Sequence, residues 1–331
     1  MTQHLVMRRR PLLWAAAMAC LAAGLAAPVM AQQWPDKTIR LVHPYAGGAA
    51  GDVLTRELAA GLQQEWGGSV ITENKPGGGT VIGADTVAKS APDGYNVLMA
   101  GPATHVIMPA IHPKLPYNVD KDFDLIGMWA IVPSMISVHP SLPVNNLREL
   151  IDYAKKNPGK LNYASAGVGT GPHLAGETFK SMTQTSMTHV PYKGAAPAVM
   201  ALLAGEVQVA FVNIPPQTAH VKAGKIRPIA VMSATRSALM PEVPTAIEQG
   251  LAGFISESWY GVAVPAGTPA AVRAKFQQAM FKAGADADRK GRLIAAGIEP
   301  KLMTPAQLAE YIKAEDTRLR PVLKTLDLKV E

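Results

Sequence analysis

The chain has 331 residues, of which 48% are hydrophobic, 17% charged and 6% aromatic, and its formal net charge is +7. This length and composition suffice for two ordinary domains with hydrophobic cores, so collagen-like, disordered and mini-protein classes are excluded. The net charge is also too small to indicate a nucleic-acid-binding protein.

The first 31 residues have the pattern of a secretory leader. Three arginines at positions 8–10 precede an apolar stretch from Leu12 to Ala27, which is too short to span a bilayer comfortably, and Ala31 suits cleavage. Removal of these 31 residues, which include three arginines and no acid, leaves 300 residues with a formal charge of +4. No later apolar stretch approaches the roughly 20 residues of a membrane span, so we expect a soluble exported protein.

Cys20 is the sole cysteine, and it lies in the leader. The mature chain therefore has no thiol for catalysis, metal binding or a disulfide. Two alternatives for export remain open from these residues. One is acylation of Cys20, as in a lipoprotein, and the other is passage through the twin-arginine route.

The mature chain begins with strands and helices separated by glycine-rich turns. Residues 38–45 predict a strand, residues 46–52 a glycine-rich turn, and the residues after them an amphipathic helix. A second strand, a second glycine-rich turn at residues 76–80, a helix and a third strand at residues 95–100 follow. This order is typical of βαβ units.

The same order of elements returns about 110 to 120 residues later. Residues 161–164 predict a strand, residues 165–171 a glycine-rich turn, and the residues from His173 a helix. A strand, a turn at residues 192–197, a helix and a strand at residues 207–211 complete the second set. The repetition predicts two similar α/β lobes, each a central sheet flanked by helices, with a cleft between them.

Two apolar segments predict the strands that cross between the lobes. These are residues 123–139, which have a proline in their middle, and residues 255–264. The first lobe is then discontinuous and comprises residues 32–132 together with residues 256–331, whereas residues 133–255 form the second lobe.

The mature sequence carries no complete catalytic, metal-binding or cofactor motif, and we expect no cofactor. Its histidines are scattered, with no pair at helical spacing. Gly167 and Gly169 begin a dinucleotide-binding G-x-G-x-x-G pattern, but Pro172 occupies its last position. Ser165 lies in a strand-to-helix turn, yet the first glycine of G-x-S-x-G is absent. An exported α/β hydrolase that uses Ser165 is the alternative from another functional class.

The glycine-rich turns share one physical property. Each presents unpaired backbone N–H groups at the N-terminus of a helix, where the aligned peptide dipoles favour an anion. Two such turns, one from each lobe, would hold a small carboxylate or phosphate in the cleft. The structural alternative is that the glycines only permit tight turns.

A series of short motifs, in the same order along essentially the whole mature chain, resembles the Bug family. These are the periplasmic solute receptors of tripartite tricarboxylate transporters, also called the TctC family. The motifs include PYAGGAAGD at 44–52, ENKPGGG at 73–79, PDGY at 92–95, SAGVGT at 165–170, HVPYKG at 189–194 and PEVPT at 241–245.

The resemblance implies a two-lobed periplasmic binding protein of type II-like fold, joined by two crossover strands. Such a receptor closes like a Venus flytrap on a small carboxylate, namely a di- or tricarboxylate, an aromatic acid or a related organic acid. It delivers this ligand to the membrane subunits of a tripartite tricarboxylate transporter, acts as a monomer, and has no nucleic-acid partner. A ligand sensor for a membrane signalling partner is an alternative with the same fold.

Carried over residue by residue, the resemblance predicts ligand contacts in both glycine-rich turns. The candidates are Tyr45, Gly48, Ala49 and Asp52 in the first lobe and Ser165, Gly167, Gly169, Thr170 and His173 in the second. Asn213, at a strand end expected to face the cleft, is a further candidate.

Some of these candidates have a structural alternative. Asp52 lies where a helix cap would lie and can pair with Arg56 one turn on, Thr170 can be a plain N-cap, and His173 can be structural.

The sequence departs from the family pattern at two positions. Ala49 stands where a second glycine is usual, which narrows the room for a ligand near the backbone, and Val212 precedes Asn213 where an aspartate is common. The loss of this acid predicts that the ligand is an acid without a strong amino group.

Overall fold

The computed structural model describes residues 34–48 and 50–325. The predicted leader, with Cys20, and the candidate Ala49 lie outside the described residues. The chain forms two units, residues 1–36 and residues 37–331. Of the first unit, residues 34–36 are described, and they contain no helix or strand.

The second unit contains all the described helices and strands. The strands are β1 (Ile39–His43), β2 (Val70–Asn74), β3 (Asn96–Ala100), β4 (Phe123–Val132), β5 (Ser134–Val138), β6 (Leu161–Ser165), β7 (Met187–Pro191), β8 (Val209–Asn213), β9 (Arg227–Val231), β10 (Ser258–Pro265) and β11 (Glu299–Met303). The α-helices are α1 (Ala50–Trp66), α2 (Val81–Ala88), α3 (Met108–Ile111), α4 (Leu147–Lys156), α5 (Gly171–Thr183), α6 (Ala195–Leu203), α7 (Thr218–Lys222), α8 (Ala270–Ala285), α9 (Ala287–Ala295) and α10 (Pro305–Thr325). Short 3-10 turns occur at Gly78–Thr80 and Pro215–Gln217, and a π-helical turn occurs at Ala103–Ile107.

These strands form two mixed sheets with matched topology. The first lobe has six strands in the order β11-β4-β10-β3-β1-β2, and the second has five in the order β7-β6-β8-β5-β9. In the first sheet β1 pairs in parallel with β2 and β3, and in the second sheet β6 pairs in parallel with β7 and β8. An antiparallel strand follows in each sheet: β10 pairs with β3 in the first sheet, and β5 pairs with β8 in the second. The two-lobed α/β fold expected from the repeated sequence pattern is thus confirmed.

The chain passes between the sheets where the sequence pattern places the crossing segments. β4 ends at Val132 in the first sheet, Pro133 follows, and β5 begins at Ser134 in the second sheet. The return leads into β10, which begins at Ser258. Proline fits between two strands because it lacks the N–H that a strand ladder needs. The residue numbers assigned to each lobe stay a prediction.

One strand of the second lobe begins later than the sequence pattern predicts. The prediction places it at residues 207–211, whereas β8 covers Val209–Asn213. The backbone N–H of Gln208 donates to the carbonyl of Asn162, and its carbonyl accepts from His139, so Gln208 leads into the strand instead of starting the regular pairing. The shift brings Asn213 to the strand end that faces the cleft.

Each sheet is covered by helices over a buried apolar core. In the first lobe the indole of Trp259 is fully buried, and its Nε1 donates to Glu315 on α10. In the second lobe the ring of Phe211 packs against Tyr163 and against Phe179 within one buried apolar cluster. Burial of each such side chain contributes roughly 1.5–3 kcal/mol. α10 also contacts α5, so the last helix touches both lobes. No described helix is both long and apolar enough to cross a membrane.

Gly127 is a position in β4 that requires glycine. Its φ of 149° lies in the region that side chains avoid, and a Cβ there would clash with the carbonyl oxygen of Met303. The residue also lies at an irregularity in the pairing of β4 with β10. Gly291, by contrast, lies in α9, and a Cβ there would meet nothing within 4 Å.

We predict that Gly127→Ala lowers the free energy of unfolding by roughly 2–4 kcal/mol, because strain and a backbone clash combine. Gly291→Ala, the matched control, raises it by roughly 0.5–1 kcal/mol, since alanine is the better helix former. Urea unfolding followed by circular dichroism measures both values. Equal unfolding free energies for the two variants would contradict the close approach of β4 and β11.

Candidate functional site

A cavity of about 550 Å³ lies between the two lobes. The first lobe lines it with residues at 44–46, in the turn at 76–80, and around the π-helical turn at 102–108. The second lobe contributes residues at 166–172 and at 194–195. Its volume is within the usual range for small-molecule sites.

The floor of the cavity is formed where the chain passes between the lobes. Asn213 at the end of β8 and Ser258 and Tyr260 at the start of β10 line it together. No lysine, arginine, histidine, aspartate or glutamate lines the cavity among the residues that the structure describes. Polar contacts to a ligand there would come from backbone groups, hydroxyls and one side-chain amide.

The structure places the predicted site residues in two groups. Those that line the cavity are Tyr45, Gly169, Thr170 and Asn213. Those that do not line it are Gly48, Asp52, Ser165, Gly167 and His173, of which Asp52, Ser165 and His173 are buried. Whether any of them contacts a ligand stays a prediction.

The second-lobe turn between β6 and α5 is held by hydrogen bonds to its own side chains. The backbone N–H of Gly167 donates to Ser165 Oγ at 3.2 Å, and that of Gly169 donates to His173 Nδ1 at 3.1 Å. Thr170 caps α5, because its hydroxyl accepts from the His173 N–H at 3.4 Å and donates to the Gly167 carbonyl at 2.7 Å. The two N–H groups of Gly167 and Gly169 are therefore already used inside the protein.

A cluster of aromatic rings lies beneath this turn. Ser165 Oγ lies 2.7 Å from His189 Nε2, and the rings of His189 and His173 stack with centroids 4.0 Å apart. Tyr163 also stacks on His189, with ring centroids 4.9 Å apart, and the Tyr163 hydroxyl donates to Glu177 at 2.6 Å. Ser165 is completely buried, so its Oγ does not face the cavity as a hydrolase nucleophile would.

The histidines of this cluster are neutral at neutral pH. Burial, together with the neighbouring His173, lowers the pKa of His189 to about 4. Burial also lowers the pKa of His173. A neutral His173 is required by the geometry, because Nδ1 accepts the Gly169 N–H only while it carries no proton.

The first-lobe turn is ordered by Asp52 from the first turn of α1. Its carboxylate accepts from the Gly48 N–H at 3.1 Å and from Arg56 Nε at 3.2 Å. Burial raises the pKa of Asp52, but the hydrogen bonds from Gly48 and Arg56 outweigh burial, and the net pKa lies below its ordinary value. Asn74 also donates to the Tyr45 carbonyl at 3.2 Å and holds the wall of the cavity. Asp52 thus makes the contacts expected if its role is structural, as a residue at the helix start that pairs with Arg56.

Two helix N-termini of the second lobe carry unused backbone donors at the cavity. Gly171 and Ala195 are the first residues of α5 and α6, and both line the cavity. A helix cannot bond the N–H groups of its first turn internally. Within the described part of the chain these two N–H groups have no hydrogen-bond acceptor. They are the donors that the dipole argument requires.

A protein-family model described as the tripartite tricarboxylate transporter family receptor, TctC, matches residues 54–328. The chain belongs to this family. The TctC receptors are periplasmic binding proteins, so the resemblance drawn from the sequence motifs is confirmed.

Relatives within the TctC family include curated and solved proteins. Protein BugT of Bordetella pertussis is 33% identical over 310 residues, which are 93% of this chain and 95% of BugT. The structure of R. palustris Rpa4515 with adipate is 34% identical, with a TM-score of 0.76 over 88% of this chain and 98% of that chain. MatC from Rhodopseudomonas palustris with bound malate is 30% identical, with a TM-score of 0.73 over 88% of this chain and 100% of that chain.

Several cavity residues of this TctC receptor were not among the predicted contacts. They include Gly77, Gly79, Met108, Gly171, Ala195, Ser258 and Tyr260. The glycine-rich turn at 76–80 and the turn at 192–197 both follow predicted strands and precede helices, which is the signal that singled out the other two turns. Trp259 and Tyr260 are consecutive residues of β10, and their side chains point to opposite faces of the strand. Trp259 is buried in the core, whereas Tyr260 lines the cavity.

We predict that the free energy of unfolding falls as the pH is lowered from about 6.5 to about 4. Burial lowers the pKa of His43, His105 and His189 to about 4 in each case, so the unfolded chain binds more protons in this window. The contribution of these three histidines to the free energy of unfolding is fully present above the histidine pKa of the unfolded chain. It is lost as the pH falls through the lowered pKa of the folded protein. Glu315 contributes with the opposite sign between its ordinary pKa and its raised value of about 7, which burial causes.

His43→Asn isolates one of these contributions, since an asparagine keeps an acceptor for Asn74 near the position of Nδ1. We expect this variant to reduce the slope of unfolding free energy against pH by up to about 1.4 kcal/mol per pH unit near pH 5. Chemical unfolding at several pH values provides the slopes. An unchanged slope in His43→Asn would show that His43 is not neutral in the folded protein.

Proposed function

We propose that this TctC-family protein is a periplasmic receptor that captures a small organic acid by closure of its two lobes. It then delivers the acid to the membrane subunits of a tripartite tricarboxylate transporter. The observation that carries the proposal is the pair of unused backbone N–H groups, of Gly171 and Ala195, at one interlobe cavity. The predicted leader, residues 1–31, is consistent with export to the periplasm.

The cavity supports an anionic ligand without a charged side chain. A carboxylate at the N-termini of α5 and α6 would accept hydrogen bonds from backbone N–H groups and lie at the positive ends of two helix dipoles. Charge-assisted hydrogen bonds of this kind contribute roughly 1.5–3 kcal/mol each. The absence of an acidic side chain from the described lining, together with Val212 before Asn213, favours an acid over an amino acid.

The connections between the lobes support closure as the means of capture. The lobes are joined at Pro133 and again ahead of Ser258, and such paired crossings allow one lobe to rotate against the other. The relatives with adipate and with malate are consistent with a carboxylate in the same cleft. We assign the ligand class from these features as a small carboxylate.

An exported hydrolase that uses Ser165 is the second candidate. The feature in its favour is the 2.7 Å contact between Ser165 Oγ and His189 Nε2. Against it, Ser165 is fully buried beneath the turn, and its Oγ already accepts the Gly167 N–H. We therefore propose that this pair orders the turn instead of attacking a substrate.

A ligand panel tests the receptor proposal. We expect adipate, malate or benzoate to raise the melting temperature of the mature protein, because a ligand that binds the folded state alone stabilises it. Aspartate should have a smaller effect than malate. Differential scanning fluorimetry followed by calorimetry measures both. A flat response to all the acids would contradict the proposed function.

Gly171→Pro tests the role of the backbone donor at α5. Proline removes the N–H but suits the first position of a helix, and the preceding Thr170, with φ of −80° and ψ of 159°, is compatible with a following proline. We expect this change to weaken binding of the best acid roughly 10- to 100-fold, the effect of losing one hydrogen bond to a charged group.

Gly171→Ala and Gly171→Val are the matched controls, because both keep the N–H and, apart from its chain neighbours, a Cβ at this position meets nothing within 4 Å. All three variants place a side chain before Pro172, so this restriction is common to the comparison. Gly171→Ala should bind the acid within about twofold of the unaltered protein, and the valine variant measures the effect of bulk alone. If the proline and valine variants lose affinity equally, the donor role of Gly171 is wrong.

A further inference from the structure

Asn213 makes its hydrogen bonds to the strands that join the lobes through one end of its amide. Nδ2 lies 2.9 Å from Ser134 Oγ, 3.3 Å from the Val132 carbonyl oxygen and 3.4 Å from Ser258 Oγ, and these three acceptors share its two hydrogens. A carbonyl oxygen can only accept, so the contact with Val132 requires the nitrogen, and not the oxygen, of the amide on this side. The orientation of the amide follows from these bonds.

The amide oxygen of Asn213 is left for the cavity. Asn213 lines the cavity, and none of the described residues donates a hydrogen bond to its Oδ1. Ser258 and Tyr260 also line the cavity, and the Ser258 hydroxyl lies beside the Asn213 amide. The floor of the cavity therefore includes an acceptor without a donor, whereas the N-termini of α5 and α6 carry donors without acceptors.

This distribution separates two parts of a ligand. A carboxylate placed at Oδ1 would meet another set of oxygen lone pairs, whereas at Gly171 and Ala195 it meets N–H groups. A group that donates a hydrogen bond has the opposite preference. An ammonium group is disfavoured because no acidic side chain lines the described cavity and Val212, the residue before Asn213, is fully buried and apolar.

We propose that Asn213 selects ligands that carry a hydroxyl or amide N–H donor in addition to their carboxylate. Oδ1 accepts from this neutral donor at the floor of the cavity, and the carboxylate lies at the helix N-termini. This inference rests on the proposed function of the cavity as a carboxylate receptor, and it narrows the class of acid that the receptor takes.

Matched acids that differ in one group test the proposal by isothermal titration calorimetry on the mature protein. One series is succinate, malate and aspartate, and the other is benzoate, 3-hydroxybenzoate and 4-hydroxybenzoate. We expect the hydroxylated member of a series to bind roughly 3- to 10-fold more tightly than its parent, the effect of one neutral hydrogen bond. Aspartate should bind more weakly than malate.

Asn213→Ala assigns the preference to this side chain. We expect the hydroxylated acid to fall to the affinity of its parent, while the parent changes little. Ser134→Ala is the matched control, because it removes one partner of Nδ2 but keeps Oδ1. The affinities for the parent acid and for the hydroxylated acid should then change by the same factor, so that their ratio is unchanged. Thermal unfolding checks that the variants are folded.

The outcomes separate this inference from the receptor function. Equal affinity for parent and hydroxylated acids in the unaltered protein would overturn the selection by Asn213 while leaving the receptor intact. Equal losses for parent and hydroxylated acids in Asn213→Ala would also overturn it, since Asn213 would then act only on the joining strands. Tighter binding of aspartate than of malate would overturn the choice of a neutral donor, and absence of binding by every acid would overturn both proposals.

Discussion

The first turn of an α-helix carries backbone N–H groups that the helix itself cannot bond, and the cavity is organised around this constraint. In both sheets parallel strands lead through short turns into helices, so the N-termini of α5 and α6 reach the same interlobe edge. Because these donors belong to the backbone, an anion can be attracted without a charged side chain, and the described lining has none. The described lining thus carries no charged side chain, but the dipoles of α5 and α6 direct their positive ends at the cavity.

The side chains behind the wall decide which backbone donors stay free. Ser165 and His173 take the N–H groups of Gly167 and Gly169, and they thereby fix the turn that carries Gly171. The arrangement requires an unprotonated His173, and burial lowers its pKa. Burial and the stacked His173 likewise lower the pKa of His189, since two charged rings with centroids 4.0 Å apart would repel each other. Residues without contact to the cavity therefore support its geometry.

The order of strands, turns and helices could be predicted from the sequence because apolar periodicity and glycine clusters are local signals. The N-cap role of Thr170 is local in the same sense. The use of the Gly169 N–H by His173 could not be predicted, since it depends on a rotamer and on packing against His189 from another strand. The place of Ser258 at the cavity could not be predicted either, because Ser258 reaches the cavity only when β10 returns to the first sheet.

A ligand can drive closure only through contacts that are better in the closed form than in the open one. Asn213 is hydrogen-bonded to Val132 and Ser134, on either side of Pro133 in one connection between the lobes, and to Ser258 in the other, so it lies at the point about which the lobes would rotate. A hydrogen bond to its Oδ1 changes little as the lobes move. The turn at 76–80 and the N-terminus of α5 lie on opposite lobes, and their separation does change. On the proposed function, contacts spanning these two walls supply the free energy of closure, whereas Asn213 contributes affinity and selectivity in both the open and the closed form.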